Sequence, residues 1–194
     1  MESDPRVSVR DTGEDTLVER ARRGDAAAFG SLYERHLDRI YRYIYYRVRT
    51  ESEAEDLTEH VFLRAYEAIG RYEQRGLPFA AWLYRMAHNA IIDHYRGSRP
   101  TTPIEDAFDL EDGRQNPLDA VQASFDREEL RVAIARLTSD QQQVIVMRFV
   151  DGLSHAEVAE ILGKNEGAVR VIQHRALHAL ARVMRTLNPG VDDA

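Results

Sequence analysis

Apolar residues recur every three to four positions along most of the chain, which is the period of a helix that buries one face. The pattern predicts four helices before residue 98 and three more between residues 137 and 185. No segment alternates apolar and polar residues in the way a half-buried strand does. The predicted fold class is therefore all-α, with a four-helix N-terminal domain and a C-terminal helix-turn-helix domain.

The predicted helices of the first domain begin with residue types that favour a helix N-terminus. Thr16, Asp25 and Pro78 stand at helix starts, and the acids of residues 51–56 lie where the helix dipole favours negative charge. The apolar positions expected to face the core are Phe29, Leu32, Tyr33, Leu37, Ile40, Ile44, Val48, Leu57, Val61, Ala65 and Ile69, with some of Trp82, Leu83, Met86, Ala90 and Ile91.

The C-terminal segment contains two short helices and a longer one, each with its own end signals. Thr138, Ser154 and Asn165 occupy N-cap positions, and Gly152 and Gly163 end the first two helices. The tight turn after Gly163 joins the last two helices into a helix-turn-helix. This motif places its second helix in the major groove of DNA.

The final helix separates into an apolar face and a basic face. Arg170, His174, Arg175 and His178 lie off the apolar stripe. An arginine early in a recognition helix suits a guanine edge, and the later cations of the helix suit phosphates. A solvated, charged face of a bundle helix is the alternative interpretation. The stripe expected to face the core is Val169, Ile172, Ala176, Leu180 and Val183.

The distribution of charge along the chain indicates a linker between the two domains. The net charge is −7, and residues 101–129 hold nine acidic and two basic side chains. With Pro103, Gly113 and Pro117, this composition predicts a flexible acidic linker, either a solvated spacer or a segment with a role of its own. The predicted organisation is a disordered N-terminus at 1–13, a first domain at 14–97, the linker at 98–127, a second domain at 128–187 and a tail at 188–194.

Several classes of protein and site are disfavoured by composition. The chain has no cysteine, which excludes disulfides and thiolate metal sites. No apolar run reaches membrane-spanning length, and the first residues lack a signal core. We therefore expect a soluble, cytoplasmic protein without membrane insertion. We also expect no catalytic residue, metal or cofactor, so the chain is not predicted to be an enzyme.

A second basic region lies between Arg71 and Arg99, with five arginines and two acids. Aromatic side chains and an amide are interleaved with these cations. This combination binds single-stranded DNA, because rings stack on bases, cations bind phosphates and amides bind base edges. Phe79 and Trp82 have an alternative role, since small helical domains need large apolar anchors for their core.

The residues quoted next carry a resemblance over almost the whole chain. The segments AEDLTEHVFLRAYEAIGRY and FAAWLYRMAHNAIIDHYR, followed by the helix-turn-helix, resemble a bacterial RNA polymerase sigma factor. The two-domain layout is similar to that of the extracytoplasmic-function group. Within that group, YRYIYYRV and GKNEGAVRVIQHRAL resemble the actinobacterial developmental type.

The resemblance implies several partners. The first domain would bind the clamp helices of the largest subunit of core RNA polymerase, and the second domain would sit on the polymerase flap. The acidic linker would thread toward the active-site cleft and the RNA exit path. An anti-sigma factor is a further expected partner. The residues expected to bind core polymerase are Glu55, Asp56, Glu59, His60 and Arg64.

Promoter DNA is the other implied partner, as duplex at the −35 element and as a melted strand at the −10 element. The residues expected at −10 are Arg71, Tyr72, Arg75, Arg85, His88, Asn89, Asp93 and Arg96. The residues expected at −35 are Lys164, Asn165, Glu166, Arg170, Val171, His174, Arg175 and His178.

One departure from the family concerns base reading. Many relatives carry a Ser-Arg pair where this chain has Val171-Ile172, so a usual base-reading arginine is absent and Arg170, His174 and Arg175 are the candidates. Three other functions remain as alternatives. A response-regulator DNA-binding domain would need a receiver domain, a metal hydrolase would need more ligands on one face, and an adaptor would act without transcription.

Overall fold

The computed structural model describes residues 12–73, 78–97 and 127–187. Every regular element in these ranges is helical, so the predicted all-α class is confirmed. None of these helices is long and apolar enough to cross a membrane. The helices are α1 (Thr12–Arg22), α2 (Ala26–Tyr45), α3 (Glu51–Ala68), α4 (Phe79–Gly97), α5 (Arg127–Ile134), α6 (Ser139–Ile145), α7 (His155–Leu162) and α8 (Glu166–Leu187).

Side chains close in sequence cap the helices of the first domain. Asp25 caps α2 as predicted, its carboxylate accepting a hydrogen bond from the Ala28 N–H at 3.1 Å. α3 begins with a capping box, because the side chains of Thr50 and Glu53 each accept from the other's backbone N–H. The predicted cap at Thr16 is wrong: α1 already begins at Thr12, so Thr16 lies inside the helix.

The core of the first domain lies between α1, α2, α3 and α4. Most of the predicted apolar stripe is buried, and each fully buried large side chain contributes about 1.5–3 kcal/mol of stability. Tyr33 is the exception, since its side chain remains 38% exposed and its ring packs edge-on against Phe62 at 4.8 Å. Phe79 is buried and Trp82 packs partly buried beside it, as expected of core anchors.

The second domain contains the predicted helix-turn-helix, formed by α7 and α8. Ser154 and Glu157 form the expected capping box of α7, and Gly163 ends it with a φ of 64°, which favours glycine. Asn165 caps α8 by accepting from the Ala168 N–H at 2.8 Å. α6 continues into a π-helical turn (Val146–Val150) that the sequence pattern did not predict.

The two domains pack against each other. α4 of the first domain contacts α7, and α2 contacts the π-helical turn. Nothing in the apolar pattern predicted this docking, because each domain has its own apolar stripes. Residues 98–126 of the predicted linker lie outside the described part of the chain.

Candidate nucleic-acid interface

The outer face of α8, away from its buried stripe, consists of Glu166, Arg170, Val171, His174 and Arg175, all exposed. Val169, Ala176 and Leu180 are buried on the other side. At about 100° per residue, positions 167, 171, 174 and 178 fall on the side of the helix farthest from that stripe. The structure therefore brings Arg170, Val171, His174 and Arg175 onto one exposed surface, with the partly buried His178 beside them.

Hydrogen bonds inside the second domain fix the orientation of α8. The Arg148 guanidinium donates to the side chain of Gln173 on α8 at 3.1 Å and to the carbonyl of Leu153. His155 also hydrogen-bonds Gln173, while burial and the nearby Arg148 lower the pKa of His155. Sequence reasoning missed these positioning residues. The available signal was one cation, Arg148, within an otherwise apolar segment.

Four of the predicted −35 residues form an ion pair or a helix cap within the protein. Lys164 forms an ion pair with Asp140 at 3.0 Å, and Asn165 is occupied as the cap of α8. Glu166 pairs with Arg170 at 2.9 Å, one turn along the helix. Exposed pairs of this kind contribute little stability, so Arg170 can leave Glu166 at low cost.

His174 and His178 lie one turn apart, with their Nε2 atoms 3.2 Å from each other. The described residues contain no group of three or more histidine, cysteine, aspartate or glutamate side chains placed to hold a metal ion. His174 is exposed on the outer face of α8, and His178 is half-buried beside it.

A second exposed stripe, named here the strand stripe, runs along α4. It consists of Arg85, Asn89, Asp93 and Arg96, which succeed one another at intervals of three or four residues and are all exposed. Asp93 and Arg96 are 3.9 Å apart at their charged groups. Two cations, a carboxylate and an amide thus share one face, which suits phosphates together with base edges.

The other predicted −10 residues fall into different surroundings. Arg71 is exposed in the short 3₁₀ turn after α3 (Ile69–Arg71). Tyr72 is buried, with its ring 4.8 Å from that of Trp82, and burial raises the pKa of its hydroxyl. The ring of Tyr72 therefore belongs to the core in this conformation. Arg75 lies outside the described residues.

The predicted polymerase residues share the outer face of α3. Sequence reasoning missed two apolar members of that face, Leu63 and Tyr66, whose side chains are 56% and 51% exposed. The ring of Tyr66 packs edge-on against Phe29 at 5.0 Å. Large apolar side chains exposed among acids are typical of a protein-binding surface. The predicted residues on this face are Glu55, Asp56, Glu59, His60 and Arg64, all exposed.

Comparison with known proteins decides the family. The model of Sigma-70 region 2 matches residues 32–101, and that of Sigma-70, region 4 matches residues 127–180. The ECF RNA polymerase sigma factor SigM of Mycobacterium tuberculosis (strain H37Rv) is 30% identical over 171 residues, which cover 87% of this chain and 83% of SigM. The chain belongs to the extracytoplasmic-function (ECF) group of RNA polymerase sigma factors.

Two further ECF sigma factors are similar over most of the chain. BldN of Streptomyces coelicolor is 44% identical over 170 residues, which cover 87% of this chain but only 64% of BldN. SigW of Bacillus subtilis is 29% identical over 180 residues, which cover 88% of this chain and 96% of SigW. The predicted family and its general function, directing transcription to promoters, are thereby confirmed.

Solved structures share the fold of this ECF sigma factor. CnrH, solved in complex with the cytosolic domain of CnrY, has a TM-score of 0.68 at 22% identity and covers 90% of this chain and 98% of its own. RpoE from Bartonella quintana, solved with the anti-sigma factor NepR, has a TM-score of 0.62 at 22% identity, with 81% and 96% covered. At these identities the likeness establishes the fold alone.

In this sigma factor the strand stripe lies beside the contact between the domains. Asp151, next to the π-helical turn, has a fully buried side chain. Its carboxylate accepts from the Tyr84 hydroxyl at 2.8 Å and from Arg42 at 3.3 Å. Burial raises the pKa of Asp151, although these two donors act in the opposite direction. The Arg85 guanidinium donates to the carbonyl of Ile161 at 3.2 Å.

Proposed function

We propose that this sigma factor binds core RNA polymerase and directs it to promoters whose −35 element it reads as duplex and whose −10 element it captures as a melted strand. The observation that carries the proposal is the placement of two exposed helix faces, one in each matched sigma region. The strand stripe lies on α4 within region 2, and the outer face of α8 lies within region 4.

For the −35 element, Arg170 is the proposed base-reading residue. It stands in the first turns of α8, where a recognition helix meets base edges, and its guanidinium suits the O6 and N7 acceptors of guanine. Val171, His174 and Arg175 surround it on the same exposed face. Farther along α8, Arg182 and Arg185 are placed to meet phosphates.

For the −10 element, Asn89 is the proposed centre of strand capture. Its exposed amide both donates and accepts, as recognition of a base edge requires. Arg85 and Arg96 on either side supply positive charge for the backbone of the strand. Taking a base out of its stack costs a few kcal/mol, which contacts of this kind offset once the duplex has opened.

For core polymerase, the proposed surface is the outer face of α3. Leu63 lies near its centre, flanked by Glu59 and Tyr66, so an apolar contact is surrounded by acids. Such a face fits a helical partner that offers apolar side chains together with arginine or lysine. The clamp helices of the largest polymerase subunit are the proposed partner, and the cell's cytoplasm is the proposed place of action.

An anti-sigma factor is proposed as a third kind of partner. The RpoE neighbour was solved with the anti-sigma factor NepR, and the CnrH neighbour with the cytosolic domain of CnrY. The present chain shares their fold, and its exposed outer face on α3 offers an apolar surface for a regulator to cover. A regulator bound there would prevent assembly with polymerase. The polymerase performs the chemistry, so the sigma factor needs no catalytic residue of its own.

Two variants separate binding to polymerase from promoter opening. Leu63→Asp places a charge in the middle of the outer face of α3 and should abolish co-purification with core polymerase, since interface anchors carry about 2 kcal/mol or more each. Asn89→Ala should keep that co-purification and lower the population of open complexes. A promoter already unpaired at −10 should restore much of the lost activity. Glu34→Ala, which removes an exposed carboxylate elsewhere on α2, is the matched control.

Thermal melting shows whether a defect of the Asn89→Ala variant comes from lost stability of the fold. If Asn89 only braces α4, the variant will melt at a lower temperature and the unpaired promoter will not restore activity. If the Asn89→Ala variant has normal stability and opens the promoter fully, the site that binds the −10 strand must lie elsewhere. Normal binding of Leu63→Asp to core polymerase would contradict the proposed role of α3.

A further inference from the structure

The outer face of α8 carries two histidines whose ring nitrogens face each other. Of the seven histidines in the chain, only His174 and His178 are four residues apart. This spacing places their side chains on the same side of the helix, with ring centroids 4.5 Å apart and 61° between the ring planes. Their Nε2 atoms are 3.2 Å from each other. Two ring nitrogens therefore meet at one point on a rigid helix, and we call the two residues the histidine pair.

The separation of these nitrogens matches the distance that a shared metal ion imposes. Zinc binds histidine nitrogen at about 2.0–2.1 Å, so two ligands in a tetrahedral shell lie about 3.3–3.4 Å apart. The observed 3.2 Å needs only a small adjustment. Imidazole suits zinc, nickel and copper ions, and two histidines at this helical spacing supply two ligands in one known type of zinc site. The histidine pair is therefore arranged to chelate one such ion.

A bound ion would change the hydrogen-bonding groups that the pair presents to its surroundings. A neutral imidazole donates through one nitrogen and accepts through the other. When both rings are neutral, one Nε2 donates to the other, and the donating ring has no proton on its Nδ1. An ion held by both Nε2 atoms places a proton on each Nδ1 instead. The pair then offers two donors and additional positive charge, which suits the acceptor oxygens of DNA.

Two features of the surroundings limit the strength of the site. The described residues hold no third histidine, cysteine, aspartate or glutamate placed to complete it, so water fills the remaining positions around the ion. Arg170, Arg175 and Arg182 are exposed within about one turn of the pair and repel a cation. Glu166 offsets only the first of these charges. Salt screens such exposed charges. We therefore expect a modest affinity that rises with ionic strength.

Duplex DNA on the same face of α8 would remove much of this repulsion. Phosphates neutralise the neighbouring arginines, so the ion is bound more tightly in the presence of DNA. Coupling between two ligands is reciprocal, and the ion therefore strengthens DNA binding by the same factor. Because phosphates carry no sequence information, this gain should be similar for all duplexes.

We propose that His174 and His178 form a chelating site for one divalent ion of the zinc, nickel or copper type, and that the bound ion strengthens the contact of α8 with duplex DNA. The metal site stands on the geometry of the pair alone. Its effect on DNA rests on the proposed function, in which α8 meets the −35 duplex.

The first measurement is the binding of Zn²⁺ to the full chain by isothermal titration calorimetry, in a buffer that does not chelate metals. His174→Gln and His178→Gln each leave a single ligand and should weaken binding at least about tenfold, because the second nitrogen acts at a high effective concentration. His60→Gln removes an exposed histidine of α3 and should leave Zn²⁺ binding unchanged. His174 is itself exposed, so its variant keeps the test available if His178→Gln does not fold.

Thermal melting gives a readout that does not involve DNA. Zn²⁺ binds the folded helix, where the two nitrogens are held together, so it should raise the melting temperature of the wild type. It should not raise that of His174→Gln. Equal affinity for Zn²⁺ in the wild type and in both single variants would overturn the metal site.

The second measurement compares duplex binding by the full chain in Zn²⁺ and in a chelator, with a matched −35 duplex and a duplex of randomised sequence. Zn²⁺ should tighten the binding of both duplexes by about fivefold or more in the wild type. The ratio of the two affinities should be one in His174→Gln. Unchanged or weaker duplex binding, with the calorimetric site intact, would overturn the coupling and leave the metal site. If the proposed −35 role of α8 is wrong, neither Arg170→Ala nor Zn²⁺ will alter duplex binding, although Zn²⁺ still binds the pair.

Discussion

The two helices that carry the proposed DNA contacts differ in what the rest of the chain does to them. The outer face of α8 stays exposed, and the residues that hold the domains together lie elsewhere. α4 contributes Tyr84 and Arg85 to the contact between domains, while Asn89 on the same helix remains exposed. The outer face of α8 thus takes no part in the contact between the domains, whereas α4 takes part through Tyr84 and Arg85.

This difference suggests an order of events. Groups on α8 can meet duplex DNA without breaking any contact between the domains. On α4, the Nε of Arg85 can meet a strand only after its hydrogen bond to the carbonyl of Ile161 has broken. Recognition of the −35 duplex is therefore expected to be independent of docking, whereas capture of the melted strand is coupled to it.

The largest effect is expected at Arg170. Arg170→Ala should weaken binding to a −35 duplex by about 1–3 kcal/mol and relax the preference at one base pair, if the guanidinium forks onto a guanine. Adding Asp151→Ala should leave this loss unchanged, because docking does not use the outer face of α8. Titrating single and double variants with matched and mismatched duplexes measures both effects.

Arg182→Ala is the matched control for this experiment. It removes a cation from the same helix and should weaken binding on all sequences while reducing its salt dependence. An equal loss on all sequences for Arg170→Ala would reassign Arg170 to a phosphate. A strong change in duplex affinity for Asp151→Ala alone would contradict the expectation that duplex binding by α8 is independent of the contact between the domains.

Sequence reasoning succeeded where the determinant is local. The caps at Asp25, Ser154 and Asn165 and the left-handed glycine at Gly163 are set by residues within one turn of the helix end. Apolar periodicity likewise identified the buried stripe of α8. These signals were sufficient to predict the helices and the helix-turn-helix.

Sequence reasoning failed where the partner is distant. Asp151 precedes Gly152, which in sequence indicates a turn and gives no sign of a buried carboxylate. Its burial depends on Arg42 and Tyr84, which are far away in the chain. The exposure of Leu63 and Tyr66 could not be predicted from the sequence either. A sequence pattern predicts which helix is amphipathic better than which apolar residue is left exposed.

A smaller effect is expected at Val171, whose side chain is 50% exposed on the outer face of α8. An apolar side chain at this place suits the methyl group of thymine. Val171→Ala should weaken duplex binding by about 0.5–1.5 kcal/mol, the free energy of burying one or two methyl groups. Replacing each thymine of the −35 duplex in turn by uracil, which lacks that methyl, should reproduce the loss at one position.

Combining the two changes makes the test of Val171 specific. In Val171→Ala, uracil at the contacted position should cause no further loss, while uracil at other positions should act as it does in the wild type. Fully additive losses at every thymine would mean that Val171 does not contact a methyl group. The strand stripe of α4 has no corresponding apolar member, so binding of single-stranded DNA should not respond to Val171→Ala.

The smallest effect is expected from pH, through His88 on α4. Burial lowers the pKa of His88 from its ordinary value of 6.5, and the neighbouring Arg47 lowers it further, while Asp140 acts in the opposite direction. When the second domain moves away, His88 should lose part of its burial, while Arg47 of the same domain stays beside it. The undocked form should therefore have a less strongly lowered pKa for His88 and bind the proton more readily than the docked form. As pH falls below about 6.5, protonation therefore favours opening, and docking weakens until the lowered pKa is reached. The raised pKa of Asp151 works against this at lower pH, because its protonation favours the docked form.

Energy transfer between dyes on Ser52→Cys and Thr186→Cys should fall modestly between about pH 7.5 and about pH 5.5, and His88→Gln should remove that fall. A pH response that His88→Gln leaves intact would assign it to another group, and duplex binding by α8 should show no part of it if the two helices act independently.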